Sequence, residues 1–234
     1  MGRLTSLPSA VVTDDSALGG AEIERSLRVN LTDSSYLIRT PSSAGNRRTF
    51  TISVWAKRSS LNGSAMFGAY ISNSNRATLR FNSDTIQFQH AHSSSESVKT
   101  NAVFRDTNSW YHIVCAIDTT QASQSDRGKI YVNGVQQSLS SNNLTQDIET
   151  SVNNNSVQTF GTRWVSGAYN GGFDGYLAEI NLIDGFQLDP TYFGYTDFQT
   201  GLWRPKGYFG SYGTNGVRLD FSDNSATTAV TLGK

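Results

Sequence analysis

Cysteine occurs once, at Cys115, so this chain of 234 residues holds no intrachain disulfide and no cysteine-rich zinc site. Charge is scarce and balanced. The 19 Lys+Arg against 19 Asp+Glu leave no global field to attract nucleic acid or an anionic membrane. No stretch approaches the roughly 20 apolar residues of a membrane-spanning helix. Residues 1–12 contain a single Arg and no apolar run of signal-peptide length, which predicts a chain made in the cytosol. Glutamate is sparse: Glu22, Glu24, Glu96, Glu149 and Glu179 are all there is, which thins the supply of paired carboxylates for acid–base chemistry. No segment keeps helical periodicity over about 11–18 residues, so helix content is expected to be small, with a single turn at 22–25 as the one candidate.

What fills the chain instead is Ser, Thr, Asn and Gly with 11% aromatics, the mixture of many short strands joined by polar turns. Apolar runs between turn clusters predict strands over 26–31, 36–39, 49–57, 65–71, 77–81, 85–90, 110–118, 129–132, 135–139, 157–164 and 173–183. In 49–57, Phe50, Ile52, Val54 and Ala56 alternate with Thr51, Ser53 and Trp55, which sends one face to the core. In 110–118 both phases are apolar, as for a central strand covered on both sides. Asn133-Gly134 stands between β-formers and tolerates the positive φ values of a type I′ turn, which predicts a hairpin. A second hairpin signal, Asn215-Gly216, precedes Val217, Leu219 and Phe221. The fold class is all-β, with an antiparallel sandwich as a single domain, since such domains often reach about 200–250 residues. Residues 1–24 form an N-terminal arm, 25–188 the sandwich, and 189–234 a Gly/aromatic extension with a short hairpin and a polar tail. Ile52, Val54, Ile113, Cys115, Ile130, Val132, Leu177 and Ile180 are the expected core.

Four segments stand in the order and spacing of a laminin-G-like domain: TFTISVWAK (49–57), WYHIVCAID (110–118), KIYVNGV (129–135) and FDGYLAEINL (173–182). The chain resembles that family over roughly residues 25–185. The resemblance implies a concanavalin A-like jelly roll of two antiparallel sheets, with sugar or protein sites on a sheet face or its loops. Further along, GYLAEINLIDGFQLDP, TGLWRPKGY and YGTNGVRLDFSDNSA resemble structural proteins of tailed bacteriophages from aquatic environments. That resemblance implies a virion surface component, a capsid decoration, head fibre or tail adhesin, assembled in the host cytoplasm.

Glycosidases of this fold need two carboxylates on one strand face. Here Glu179 is followed two residues on by Asn181, an amide, so no catalytic residue is assigned and the chain is expected not to be an enzyme. His90 and His92 share a strand face, but two imidazoles alone make an incomplete zinc site, and His112 adds no motif. Cys115 lies in an apolar strand and reads as an inert core thiol. The resemblance leaves calcium open through Asp118, Asp126, Asp147 and Asp184 near strand ends, an ion that needs about 6–8 oxygen ligands, and no other cofactor is expected. Sugar binding needs aromatic planes for the pyranose face and polar groups for its hydroxyls; Trp55, Arg163, Trp164, Tyr169 and Asn170 supply both. Trp55 falls on the polar phase of its strand, where cover by a loop or the C-terminal segment competes with a ligand role. Trp203, Tyr208, Phe209 and Tyr212 are the candidate assembly contacts, with packing on their own sandwich as the alternative.

The expected partners are other virion proteins or further copies of the chain, as a homo-oligomer, and a host cell-surface glycan, without nucleic acid or membrane insertion. A purely structural decoration protein and a glycan-cleaving enzyme are the alternatives to a glycan-binding surface protein.

Overall fold

The computed structural model describes residues 20–222 apart from 34, 63, 92–94 and 166–167. Most of the expected arm (1–19), the tail from 223 onward and His92 lie outside the described residues.

Two antiparallel sheets of seven strands form the sandwich. The first sheet runs in the order β1 (Leu27–Val29), β15 (Gly175–Asp184), β3 (Thr49–Arg58), β8 (Tyr111–Asp118), β9 (Gly128–Val132) and β10 (Val135–Gln136), with β18 (Val217–Leu219) also paired to β15. The second runs β11 (Leu139–Asn142), β7 (Ser95–Val103), β6 (Thr85–Ala91), β5 (Asn75–Asn82), β4 (Ala65–Ser72), β12 (Val157–Phe160) and β2 (Leu37–Arg39). Two ribbons complete the fold: β13 (Arg163–Val165) with β14 (Ala168–Asn170), and β16 (Gly194–Thr196) with β17 (Trp203–Pro205). One four-residue helix, Gln124–Arg127, is the only α-helix among the described residues. No helical turn forms at 22–25.

Strand alternation builds the core. Phe50, Ile52, Val54 and Ala56 of β3 point between the sheets with Ile113, Cys115 and Ile117 of β8, facing Leu79, Phe81, Ile86 and Phe88 of the second sheet. All eight expected core residues are buried. Burial pushes the Cys115 thiol far above its ordinary pKa, because no nearby group stabilises a thiolate there. Asn133 and Gly134 have φ values of 48° and 79°, and Val135 pairs with Val132, the geometry of the expected type I′ hairpin.

Several strands differ from the sequence expectation for identifiable reasons. β7, SESVKTNAV, carries almost no apolar alternation, since its inward phase, Glu96, Val98 and Thr100, holds a single large apolar residue, and so it is absent from the expected strands. The run 135–139 splits, its start ending the first sheet at β10 and Leu139 opening β11 on the second. The run 157–164 breaks at Gly161, whose φ of 85° turns the chain out of β12 into the β13–β14 ribbon. Asn215-Gly216 makes no hairpin: β18 pairs with β15, while the hairpin of the extension is β16–β17. The extension is bound into the sandwich by its own strand.

Candidate functional site

Each sheet has an outer face, and the two are built differently. On the first sheet the outward residues Thr51, Ser53 and Trp55 of β3 are buried despite their polarity, because the chain from Phe186 onward, with the C-terminal extension, lies over them. Trp203 is the centre of that cover. Its ring fits between Gly134 and Gly194, where an added Cβ would stand only 2.4 and 2.5 Å from the indole. Trp203 Nε1 donates to His112 Nδ1 at 2.8 Å, and indole is a donor only, so His112 is the neutral Nε2–H tautomer and donates to Ser53 Oγ at 2.9 Å. The His112 ring lies between Trp55 (4.8 Å, 21°) and Trp203 (5.9 Å, 19°). Burial lowers the His112 pKa to about 3, since an imidazolium there would lose its hydration.

Three further aromatics of the extension are spent in the same way, whereas Tyr192, Phe198 and Phe209 are exposed. Phe193 packs with Val114 and Ile183, Tyr208 stacks on Phe193 at 5.2 Å, and Tyr212 donates to Asn181 Oδ1 at 2.7 Å. Burial pushes the Tyr212 phenol up to about 12. Of the four candidate assembly residues, Phe209 alone is fully displayed, at 87% exposure. Glu179 sits at the β15 bulge with φ 43° and is held by Arg218 through two hydrogen bonds of 2.6 and 3.1 Å. Asp184 is likewise engaged, accepting from the Asn46 and Asn215 amides and from Asn153 Nδ2. Asp118 accepts from Thr49, Thr120 and Gln121. Among the described residues no group of three or more His, Cys, Asp or Glu side chains is placed to hold a metal ion.

Among the described residues, the β13–β14 ribbon is the strand pair that lies on the second sheet's outer face. By strand alternation and register, Tyr70 and Gly68 of β4, Arg76, Thr78 and Arg80 of β5, Gln87 and Gln89 of β6, and Ser97 and Lys99 of β7 all point outward. The ribbon lies close over β4 because residue 68 is glycine: a Cβ there would stand 2.9 Å from the Arg163 Cα. Arg163 pairs with Asn170 and Trp164 with Tyr169, and the latter rings meet edge to face at 4.5 Å. Tyr36 packs on Tyr169 with centroids 3.8 Å apart, and Tyr70 touches Trp164 at 6.4 Å. Burial, and then its Tyr36 partner, push the Tyr169 phenol up to about 12. Arg80 forks onto Gln87 Oε1 at 3.2 and 3.0 Å, and Asn82 donates to the same oxygen at 2.9 Å.

Four of the five candidate ligand residues, Arg163, Trp164, Tyr169 and Asn170, thus share one ribbon on the open face. Trp55 does not join them. It belongs to the opposite sheet, 9% exposed beneath the cover, beside a cavity of about 290 Å³ bounded by residues 23–26, Trp110 and Pro205. Tyr36, Tyr70, Arg76 and Arg80 are absent from the sequence-level candidates. The signal for the two arginines was present, since they fall out of phase with Ala77, Leu79 and Phe81 in one strand.

Residues 32–186 match the family model of the Concanavalin A-like lectin/glucanases superfamily. Among curated proteins none matches the sequence significantly. The fold is similar to that of the native heptameric SAP-like pentraxin from Limulus polyphemus, with a TM-score of 0.54 and 16% identity over 86% of this chain and 94% of that one. It is also similar to domain 4 of AbnA, a GH43 extracellular arabinanase from Geobacillus stearothermophilus, solved in complex with arabinotriose (TM-score 0.51, 16% identity, 74% of this chain and 82% of that one). The NanB sialidase from Streptococcus pneumoniae gives a TM-score of 0.51 at 15% identity over 74% of this chain, which spans 28% of that enzyme. At these identities the likeness is one of fold.

Proposed function

The chain belongs to the Concanavalin A-like lectin/glucanases superfamily, and we propose that it is a non-enzymatic glycan-binding protein of a bacteriophage virion surface, holding a host saccharide on the outer face of its second sheet. One observation carries the assignment of the site. The ribbon of β13 and β14 gathers the rings of Trp164 and Tyr169 with the polar ends of Arg163 and Asn170 over a face that carries no other strand among the described residues. Aromatic planes beside fixed hydrogen-bonding groups are what a pyranose needs, an apolar face to stack on and partners for its hydroxyls. The absence of chemistry is supported by Glu179, whose carboxylate is committed to Arg218 and whose strand neighbour is an amide, Asn181.

The virion role rests on the resemblance of the C-terminal segment to phage structural proteins, with Phe209 as the exposed contact left for docking on a neighbouring virion protein or another copy. A glycan array tests the binding: retention of at least one saccharide by the wild type, weakened about tenfold or more in Trp164→Ala, is expected. No retained saccharide would leave a decoration protein without a ligand. Release of reducing ends from a retained saccharide would make the chain an enzyme. Immunogold labelling of phage particles checks the location, and unlabelled particles would remove the virion assignment.

A further inference from the structure

On the open face, Arg76, Arg80, Lys99 and Arg163 stand together without an ion-pair partner among the described residues; elsewhere Arg28, Arg47, Arg48, Arg58, Arg105, Arg204 and Arg218 have one, and the arginines that do not, Arg25, Arg39 and Arg127, are not gathered on one face. Strands β2, β4, β5, β6, β7, β11, β12, β13 and β14 contain one carboxylate between them, Glu96. That group is in phase with core-facing Val98 and accepts from Thr145 instead. The arginines are close enough to repel. Desolvation first, and then the charges of Arg163 and Arg76, lower the pKa of Arg80; desolvation and then Arg76 lower that of Arg163.

The register explains the convergence. Arg76 and Arg80 are four residues apart on one strand face, about 13 Å at roughly 3.3 Å per residue. Arg163 crosses above Gly68, whose register partner, Thr78, lies midway between them. Arg163 Nε is buried with no acceptor, and the Arg80 fork is held in place by Gln87. Partly desolvated like charges with no counter-ion lower the stability of a fold, and such an arrangement is expected where a ligand supplies the missing anion. Planar guanidinium forks match the two oxygens of a carboxylate or sulfate. The adjoining rings of Trp164 and Tyr70 favour a sugar as the bearer of that group.

We infer that the site selects acidic saccharides, with Arg76, Arg80 and Arg163 holding a carboxylate or sulfate beside the aromatic wall. This rests on the glycan-binding function proposed above and narrows it to one substrate class. The test is an array that pairs uronate-, sialate-, Kdo- and sulfate-bearing oligosaccharides with their carboxyl-reduced or desulfated forms, read with wild-type protein and with Arg76→Gln, Arg80→Gln and Arg163→Gln. A thermal transition for each protein confirms that it is folded. At least one acidic form is expected to bind about tenfold or more tightly than its neutral counterpart, and each variant to lose about tenfold on the acidic form, the worth of a charge-assisted hydrogen bond. The carboxylate and sulfate arms say which anion is taken. Equal binding of acidic and neutral forms, or variants that bind as wild type does, overturns the acidic preference and leaves glycan binding standing. No binding to any sugar overturns both. Tighter binding of a single-stranded oligonucleotide than of every acidic sugar overturns the saccharide as the anion's bearer.

Discussion

Thr51, Ser53 and Trp55 of β3 and Arg76, Arg80 and Gln89 of the second sheet occupy equivalent positions, each set looking outward from a strand whose other phase lines the core. On the first sheet Ser53 bonds to His112, which Trp203 of the extension holds in turn, Thr51 bonds to Phe186 and Leu188, and Trp55 stacks on His112. On the second, the arginines lean on amides and lack counter-ions. Polar residues at sheet positions therefore mean two different things here. Where a later segment covers them they are an internal hydrogen-bonded network, which fixes the position of the covering segment. Where no strand among the described residues covers them, they leave charges without counter-ions, which is what the proposed ligand would meet.

The comparison sharpens if the faces are perturbed one at a time. Ile113→Ala, in the core both sheets share, sets the scale: a loss of about 2–5 kcal/mol in urea denaturation, from transfer energy plus a cavity. Trp203→Ala is expected to cost about 2–4 kcal/mol, because it opens the cover and leaves His112 Nδ1 without its donor. A loss comparable to an exposed substitution would mean that the extension is not part of the fold.

Acid should act through the covered face. The folded pKa of His112 is lowered to about 3, against about 6.5 in the unfolded chain, so between these values the unfolded form binds the extra proton. The contribution is fully present above pH 6.5 and is lost as pH falls toward 3, at up to about 1.4 kcal/mol per pH unit. His112→Gln should flatten the stability profile by one proton in that window, and an unchanged slope would contradict the buried neutral imidazole. The smallest effect belongs to the open face. Arg80→Gln should leave stability unchanged or raise it by up to about 1 kcal/mol, because it relieves repulsion from Arg76 and Arg163. A clear destabilisation would make Arg80 a structural residue.

Much of this contrast was legible in the sequence. Alternation in β3 and the doubly apolar β8 located the core, and Asn133-Gly134 located its turn, because these signals are local. The candidate ligand residues at 163–170 fall on one ribbon for the same reason, being neighbours in sequence. Trp55 could not be placed from its strand alone, since its cover arrives about 150 residues later with Trp203. Nor could Tyr36, Tyr70, Arg76 and Arg80 be joined to the ribbon, because Gly68 sets that approach and register brings them together only in the folded sheet. β7 carries no alternation to read, because its inward phase includes Glu96 and Thr100 beside Val98.

The four tryptophans report on both faces at once: Trp164 stands on the open face, while Trp55, Trp110 and Trp203 belong to the covered side and its cavity. The most direct test is a ¹⁵N NMR titration of the indole Nε1–H resonances, assigned with single Trp→Phe variants, against the saccharide retained best on the array. The Trp164 resonance should move with saturation while those of Trp55, Trp110 and Trp203 stay in place. Movement of Trp55 and Trp110 with Trp164 unchanged would put the ligand in the covered cavity and contradict the assignment of the open face.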